Sequence, residues 1–416
     1  MDDNNAMAAQ AAIAAQVGRF YESHPYPPPI DDLRAYARKW NDARRRAESH
    51  LFWPSEVSRD DRSILVAGCG TMQAARYAVR WPRARVVGID VSAKSIEFER
   101  KLKRNRALDN LELQRLSLES APELGQTFDH VVCTGVLHHL TDPGAGLRAL
   151  RDVLAPGGAM HLMVYAPYGR AGVYILQEYC RRLGIGWSDG EIRDLAATLK
   201  ALPADHPIAP ILRNAPDFAT TAGLADALLH PNDRAYSVPA LMQLLENARF
   251  RFGRWLRQAP YLPQCGGVAS TPHAPRLRTL TREAQYVAME LFRGTMVRHS
   301  LIAYRSGTGL QLDGVDVDDD GCFDYVPIRL PGTIAVRERL PAGAAAVLIN
   351  RGHTYPDLYL PIDSRQERLL AATDGERTIA EIADTRGGRA LAREFFKKLW
   401  LWDQVVFDTS RAVRSA

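Results

Sequence analysis

Residues 63–72 read SILVAGCGTM, and a helix-like stretch, ARYAVRW, follows at 75–81. The unbroken apolar run Ile64, Leu65, Val66 and Ala67 lacks the alternation of a half-exposed strand and describes one buried on both faces, as in a parallel sheet covered by helices. Gly68 and Gly70 stand where the chain must turn sharply, and the helix behind them presents unsatisfied N–H groups to whatever approaches. The same alternation continues outward. ARVVGIDVS (84–92) predicts a second strand and AKSIEFERKLKRNRAL (93–108) its helix, LELQRLS (111–117) a third strand, and FDHVVCTGVLHHL (128–140) a fourth. Asp142 reads as the cap of a helix with Pro143 at its first position and Leu147, Leu150 and Leu154 at helical spacing; the APGG at 155–158 is expected to stop it before a fifth strand, AMHLMVYAP (159–167). Beyond an atypical stretch at about 170–236, VPALMQLLENA predicts a helix, and RFRFGRWLRQ and TMVRHSLIAYRS two more strands. The expectation is an α/β unit with a seven-strand, mostly parallel sheet, helices on both faces and a helical insertion after the fifth strand.

Length and composition bound the rest. The chain has 416 residues, 46% hydrophobic and 24% charged, so it is neither collagenous nor disordered throughout, and it exceeds what one core can organise. A formal net charge of +5 is a weak field for this length and names no nucleic-acid partner. Five cysteines (Cys69, Cys133, Cys180, Cys265 and Cys322) form no C-x-x-C pair, which argues against a disulfide scaffold and against any structural metal. The N-terminal MDDNNAMAAQAAIAAQ lacks the charged start of a secretory signal, and no window is long and apolar enough to span a bilayer, so a cytoplasmic protein without membrane partners is expected.

Four divisions are predicted. Residues 1–55 form a helical and Pro-rich capping arm, in which the prolines at 25 and 27–29 impose an extended segment carrying Phe20, Tyr21 and Tyr26. Residues 56–306 hold the sheet, 307–323 a Gly/Asp-rich linker, and 324–416 a small α+β, winged-helix-like domain with capping boxes at Ser364-x-x-Glu367 and Thr378-x-x-Glu381.

The chemistry concentrates at the glycine turn. Asp90 closes the second strand 20 residues after Gly70, where a carboxylate accepts hydrogen bonds from both hydroxyls of a ribose. A dinucleotide fingerprint needs a third glycine where this chain has Gln73, which leaves an adenosine ligand without a pyrophosphate. VAGCGTM, GIDVS, FDHVVCTGVLHHLTDP and LAPGGAMHLMVY, in this order and spacing, resemble the Rossmann-like class I S-adenosylmethionine-dependent methyltransferases, over about 110 residues by motif and about 300 by strand count. The resemblance implies S-adenosyl-L-methionine as cofactor, held by Gly68, Cys69, Gly70, Asp90, Val91, Ser117, Leu118 and Thr134. This chain departs from the family pattern at Val66, where an acidic residue is usual, and at Met72, where a third glycine is usual.

Catalytic candidates are fewer. His138 and His139 at the exit of the fourth strand, and Tyr165 after the fifth, face the expected acceptor side, and either histidine is a candidate general base; capping of the strand and packing against the helix at Asp142 is the favoured account of the pair. Tyr21, Tyr26, Tyr165 and Tyr168 are candidate aromatic walls. Asp316-x-Asp318-x-Asp320-Gly321 imitates a calcium loop, but Pro327 stands at its twelfth position and a solvated linker is expected. Arg389, Arg393 and Lys397 repeat every fourth residue, as on a phosphate-binding face or an ordinary solvated one.

The implied activity is methyl transfer by in-line displacement to a small-molecule or peptide-borne nucleophile. A nucleic-acid methyltransferase is the alternative, although the fourth strand reads Thr134-Gly135-Val136-Leu137 in place of Asn/Asp-Pro-Pro-aromatic and no Pro-Cys occurs. A catalytically silent cofactor-sensing protein is the third reading. The acceptor and the oligomeric state stay open.

Overall fold

The computed structural model describes residues 2–214, 218, 220–307, 314–386 and 388–415. Part of the insertion (215–217 and 219) and part of the expected linker (308–313) thus lie outside the described residues. The chain divides into two compact units: Met1–Lys39, Asp61–Arg251 and Arg293–Ser306 form the first, and Trp40–Asp60, Phe252–Phe292 and Gly307–Ala416 the second. Compared with the sequence-based division, two segments, Trp40–Asp60 and Phe252–Phe292, fall with the C-terminal residues.

The seven expected strands are present as β1 (Ser63–Ala67), β2 (Arg85–Asp90), β3 (Leu111–Arg115), β4 (Phe128–Thr134), β5 (Leu154–Tyr165), β6 (Phe250–Trp255) and β7 (Arg298–Arg305). They form one sheet in the order β3-β2-β1-β4-β5-β7-β6. The pairs β1–β2, β1–β4, β2–β3 and β4–β5 are parallel, and β5–β7 is antiparallel. The order reverses between β1 and β4, and in open α/β sheets ligands bind at the carboxyl ends of strands flanking such a switch point. β5 starts earlier than expected. Its partner register jumps from Phe128↔Leu154 to His130↔Ala159, so the APGG that was read as a stop is an irregularity inside the strand. The Asp142 cap is as read: its carboxylate accepts from Ala145 N at 2.8 Å.

The N-terminal helix is longer than the prolines suggested. It runs Asp2–Ser23 and contains Phe20 and Tyr21, which are therefore helical. A proline restricts itself and its predecessor, here His24, and leaves earlier residues free to stay helical. Phe20 is fully buried in a cluster with Val173, Leu176, Leu195, Ile208 and Leu224, from the insertion helices Ala171–Arg182, Asp189–Thr198 and Thr221–Leu228 and the segment between the last two. The insertion thus carries its own small core, closed by one aromatic ring from the N-terminus.

The second unit holds a three-stranded antiparallel sheet of β9 (Thr333–Val336), β10 (Ala346–Asn350) and β11 (Tyr359–Ile362), and a two-stranded one of β8 (Val326–Arg329) and β12 (Val405–Asp408). The first capping box is shifted by one residue from its expected place: Asp363 caps the helix Ser364–Ala371, with Gln366 answering it. The second is as read, with Glu381 N donating to Thr378 Oγ1 and Thr378 N donating to the Glu381 carboxylate. Asp320 and Asp318 pair with Arg393 and Lys397, so two carboxylates of the acidic row and two members of the basic row answer one another within this unit. No helix among the described residues is long and apolar enough to cross a membrane.

Candidate functional site

The glycine turn is pinned to the end of β2. Gly68 N and Cys69 N both donate to Ile89 O, at 2.8 and 2.9 Å. Gly70 N donates to Asp90 Oδ2 at 2.8 Å, and Ser92 N to Asp90 Oδ1 at 2.9 Å. Gly68 (φ +71°) and Gly70 (φ +56°) adopt left-handed conformations that favour glycine. A Cβ on Gly68 would lie 2.3 Å from Val136 Cγ2, and one on Gly70 would lie 2.9 Å from the carbonyl oxygen of Tyr26. The Pro-rich segment therefore lies directly on the turn, and Thr71 fixes it by donating from Oγ1 to Pro27 O at 2.7 Å.

Behind the turn, two side chains hold the helix Gln73–Arg80. Gln73, in the position of the missing glycine, donates from Nε2 to Thr134 Oγ1 at 2.6 Å and so ties the helix to the end of β4. Glu99, from the helix Ala93–Arg106, accepts from Ala74 N at 2.7 Å and Ala75 N at 2.9 Å with its two oxygens. Burial pushes its carboxyl up to about 8. Burial likewise raises Asp90, against the backbone donors of Ser92 and Gly70.

Gly68, Gly70, Asp90 and Thr134 thus meet at the carboxyl ends of β1, β2 and β4. The other candidates contribute differently. The Cys69 thiol is sealed in the core and pushed well up by burial, leaving only its main chain at the turn. Val91 has an exposed side chain, and its carbonyl accepts from Arg115 Nε at 3.0 Å. Ser117 Oγ accepts from Ser120 N at 3.3 Å, and Leu118 is buried against Gly146. Val66 and Met72 are both buried apolar side chains. The residues present fit an adenosine ligand: each Asp90 oxygen uses one lone pair on a backbone donor and keeps another for a ribose hydroxyl.

A second cluster starts two residues after Val136. His138 and His139 lie in a single 3₁₀ turn, Leu137–His139, and both are buried. The His138 ring lies tilted 4.0 Å from Tyr165 and meets His139 edge-on at 4.2 Å, and His139 lies 3.8 Å from His230. The turn at His230–Tyr236 clamps them. Asn232 donates from Nδ2 to the carbonyls of His139 and Leu140, its own carbonyl sits 2.9 Å from His139 Nδ1, and Arg234 N donates to His138 O. His139 is therefore held much as a capping residue. His138 is not, since neither ring nitrogen has a hydrogen-bond partner among the described residues. Burial, reinforced by His139 and Arg170, pushes His138 well below the ordinary histidine value, and burial does the same to His230.

The insertion supplies what surrounds this pair. Arg170 lies 3.5 Å over the Tyr165 ring and pairs with Asp233 at 3.4 Å. Tyr21 donates to Asp226 Oδ1 at 3.1 Å. Burial pushes Tyr21 and Tyr165 well above the ordinary phenol value, so both stay protonated and neither is a base near neutrality. Tyr168 is largely exposed, and Tyr26 contributes its carbonyl to the glycine turn. A cavity of about 550 Å³ opens beside the cluster, lined by Ser23, His24, Gly186, Trp187, Ser188, Asp189 and Glu191. Phe20 separates it from His230, with its ring 5.7 Å from Trp187 and 5.0 Å from His230.

Sequence reasoning missed Glu99, Arg170, Asp226, His230 and Asp233, and gave Gln73 no role. The one usable signal was the turn-forming HPND at 230–233, which reads as an ordinary loop.

Comparison with known proteins places this geometry. The family model described as a methyltransferase domain matches residues 65–160. An uncharacterized protein of Synechococcus sp. is 30% identical over 292 residues, covering 67% of this chain and 69% of that one. The ubiquinone biosynthesis O-methyltransferase of Albidiferax ferrireducens is 32% identical over 98 residues, 23% of this chain and 38% of its own. PKMT2 from Rickettsia typhi, solved in complex with AdoHcy, shares the fold at a TM-score of 0.60 and 16% identity, covering 90% of this chain and 74% of that one.

Proposed function

Because the chain belongs to the class I S-adenosylmethionine-dependent methyltransferases, we propose that it methylates a hydroxyl or amine of a small-molecule or peptide-borne acceptor, with His138 as the general base. The observation that carries this reading is the His138 imidazole: buried, held below the usual histidine range, without a hydrogen-bond partner among the described residues, and two residues beyond the Val136 side chain that fills the space above Gly68. A buried imidazole that is neutral near pH 7 is a proton acceptor in waiting.

Bound S-adenosylmethionine supplies an electrophilic methyl on a cationic sulfur. The residues assigned to hold it are the main chain of Gly68, Cys69 and Gly70, the Asp90 carboxylate at the ribose, and Val91, Ser117, Leu118 and Thr134 around the remainder. Beside that methyl, a ring nitrogen of His138 would take the proton of the acceptor's hydroxyl or amine. Tyr165 and His139 fix the plane of the His138 ring by packing against its face and edge, while the Phe20-closed insertion excludes water. The similarity to an O-methyltransferase supports a hydroxyl acceptor of this kind. The winged-helix-like reading of the C-terminal unit belongs to this proposal as the part that would present a peptide-borne acceptor.

The test is incubation of the purified protein with methyl-labelled cofactor and a lysate of its source organism. Label in a small extractable molecule or in protein is the expected result, and label confined to RNA overturns the reading. Absence of cofactor binding at millimolar concentration overturns methyl transfer to any acceptor.

A further inference from the structure

Beside the proposed base lies a set of donors that methyl transfer does not use. We propose that His138, His139 and Asp233 form a binding site for one divalent transition-metal ion of the zinc type. One ligand atom from each of the three lies within 4.8 Å of the other two. Both His138 ring nitrogens and Asp233 Oδ1 are buried and accept or donate no hydrogen bond among the described residues. An unpartnered polar atom at such depth is costly, and a cation bound by one His138 nitrogen and by Asp233 Oδ1 removes that cost for both.

The surroundings are built to orient these atoms. Asp233 has a side chain 1% exposed, and its other oxygen, Oδ2, accepts from Gln177 Nε2 at 2.9 Å and pairs with Arg170, which turns Oδ1 toward the histidines. His139 Nδ1 is 3.9 Å from Asp233 Oδ1. Asn232 grips the carbonyls of His139 and Leu140, so the segment carrying Asp233 and the segment carrying both histidines are fastened to one another. Outer contacts of this kind set ligand direction in metal sites.

Donor chemistry selects the ion. Two imidazoles and one carboxylate suit zinc and its first-row neighbours, whereas magnesium and calcium prefer all-oxygen shells. Bonds of about 2.0–2.2 Å would require side-chain movements of about 1 Å from the present separations. The charges facing the cluster allow this: Asp226 and Asp233 are opposed by one guanidinium, Arg170. A bound ion would take a His138 lone pair, so metal and proton compete for that ring, and a loaded protein is inhibited for methyl transfer. The binding itself stands apart from the reading of His138 as base; only the inhibition rests on it.

The experiment uses the full chain, untagged and stripped with a chelator, titrated with Co²⁺ and Zn²⁺. The expected result is one equivalent bound, visible d–d absorption from Co²⁺, and a rise in Tm with Zn²⁺ that neither Mg²⁺ nor Ca²⁺ produces. His138→Ala and Asp233→Asn should each weaken Zn²⁺ binding at least tenfold, and His273→Ala, an exposed histidine elsewhere, should not. Failure of the folded wild-type chain to take up one equivalent overturns the site, as does full uptake by both cluster variants. Should the variants not fold, the selectivity of the wild-type Tm shift decides by itself. Cofactor affinity, measured separately by calorimetry, tells failure of the metal site from failure of the methyltransferase assignment.

Discussion

Gly70 donates its backbone N–H to the Asp90 carboxylate across 2.8 Å, so the turn at the end of β1 and the acid at the end of β2 form one rigid unit. Ser92 N, on the other carboxylate oxygen, completes its orientation. The side chain proposed to hold the ribose is thus set in place before any ligand arrives, which lowers the ordering cost of binding.

Asp90→Ala removes both the ribose acceptors and the clamp on Gly70. Cofactor affinity should fall by about 1–3 kcal/mol, the worth of charge-assisted hydrogen bonds. Calorimetry with S-adenosylmethionine checks it; unchanged affinity would show that the ribose is held by other residues.

Gly68→Ala meets two separate obstacles. Its φ of +71° costs a side-chain-bearing residue about 1 kcal/mol, and its Cβ would collide with Val136 Cγ2 at 2.3 Å. The double variant Gly68→Ala/Val136→Ala relieves the collision alone. Denaturant unfolding should therefore show partial recovery of stability in the double variant relative to Gly68→Ala. Complete recovery would mean that the backbone conformation carries no strain.

His138→Asn should lower kcat by about 10²- to 10⁴-fold, the usual contribution of a general base, and leave cofactor affinity nearly intact. A histidine held well below 6.5 is already neutral across the neutral range. Wild-type kcat should accordingly rise with pH only below 6.5 and stay level between pH 7 and 8. A packing role for His138 would instead appear as lost stability with an unaltered pH profile.

The sheet and its turn could be read from the sequence because their determinants are local: unalternated apolar runs, Gly68, Gly70 and an acid at a strand end all lie within 30 residues. The acceptor-side cluster could not. His230 and Asp233 reach His139 from more than 90 residues away, on a segment whose own sequence says only that it turns. Phe20 and Tyr21 were misassigned because the influence of a proline was extended beyond its immediate neighbour. Glu99 was hidden differently. It sits in EFERKLKR, where charge at every turn describes a solvated helix face, and only the fold shows this one carboxylate turned inward.

Tyr21→Phe deletes the hydroxyl that donates to Asp226 and leaves a buried carboxyl short of one partner. The cost should be about 1–3 kcal/mol in global stability. A double-variant cycle with Asp226→Asn, followed by denaturant unfolding, should return a coupling between the two positions; additive losses would mean the bond is not made in solution.

Glu99 gives the stability of the chain a specific pH dependence. Its carboxyl is raised from 4.5 to about 8 by burial, against the lowering effect of the Ala75 and Ala74 N–H groups. The folded chain therefore holds this proton more tightly than the unfolded one. The corresponding stabilisation is fully present below about pH 4.5 and is lost as pH rises toward 8, at no more than about 1.4 kcal/mol per pH unit. Glu99→Gln cannot titrate. It should be less stable than wild type at pH 5, because its amide group sets a donor against the Ala74 or Ala75 N–H, and the gap should narrow steadily up to pH 8. Parallel pH–Tm series on the two proteins measure that gap. A difference that stays constant from pH 5 to 8 would mean that Glu99 titrates normally, and hence that the helix start behind the glycine turn is more open to water than its burial indicates.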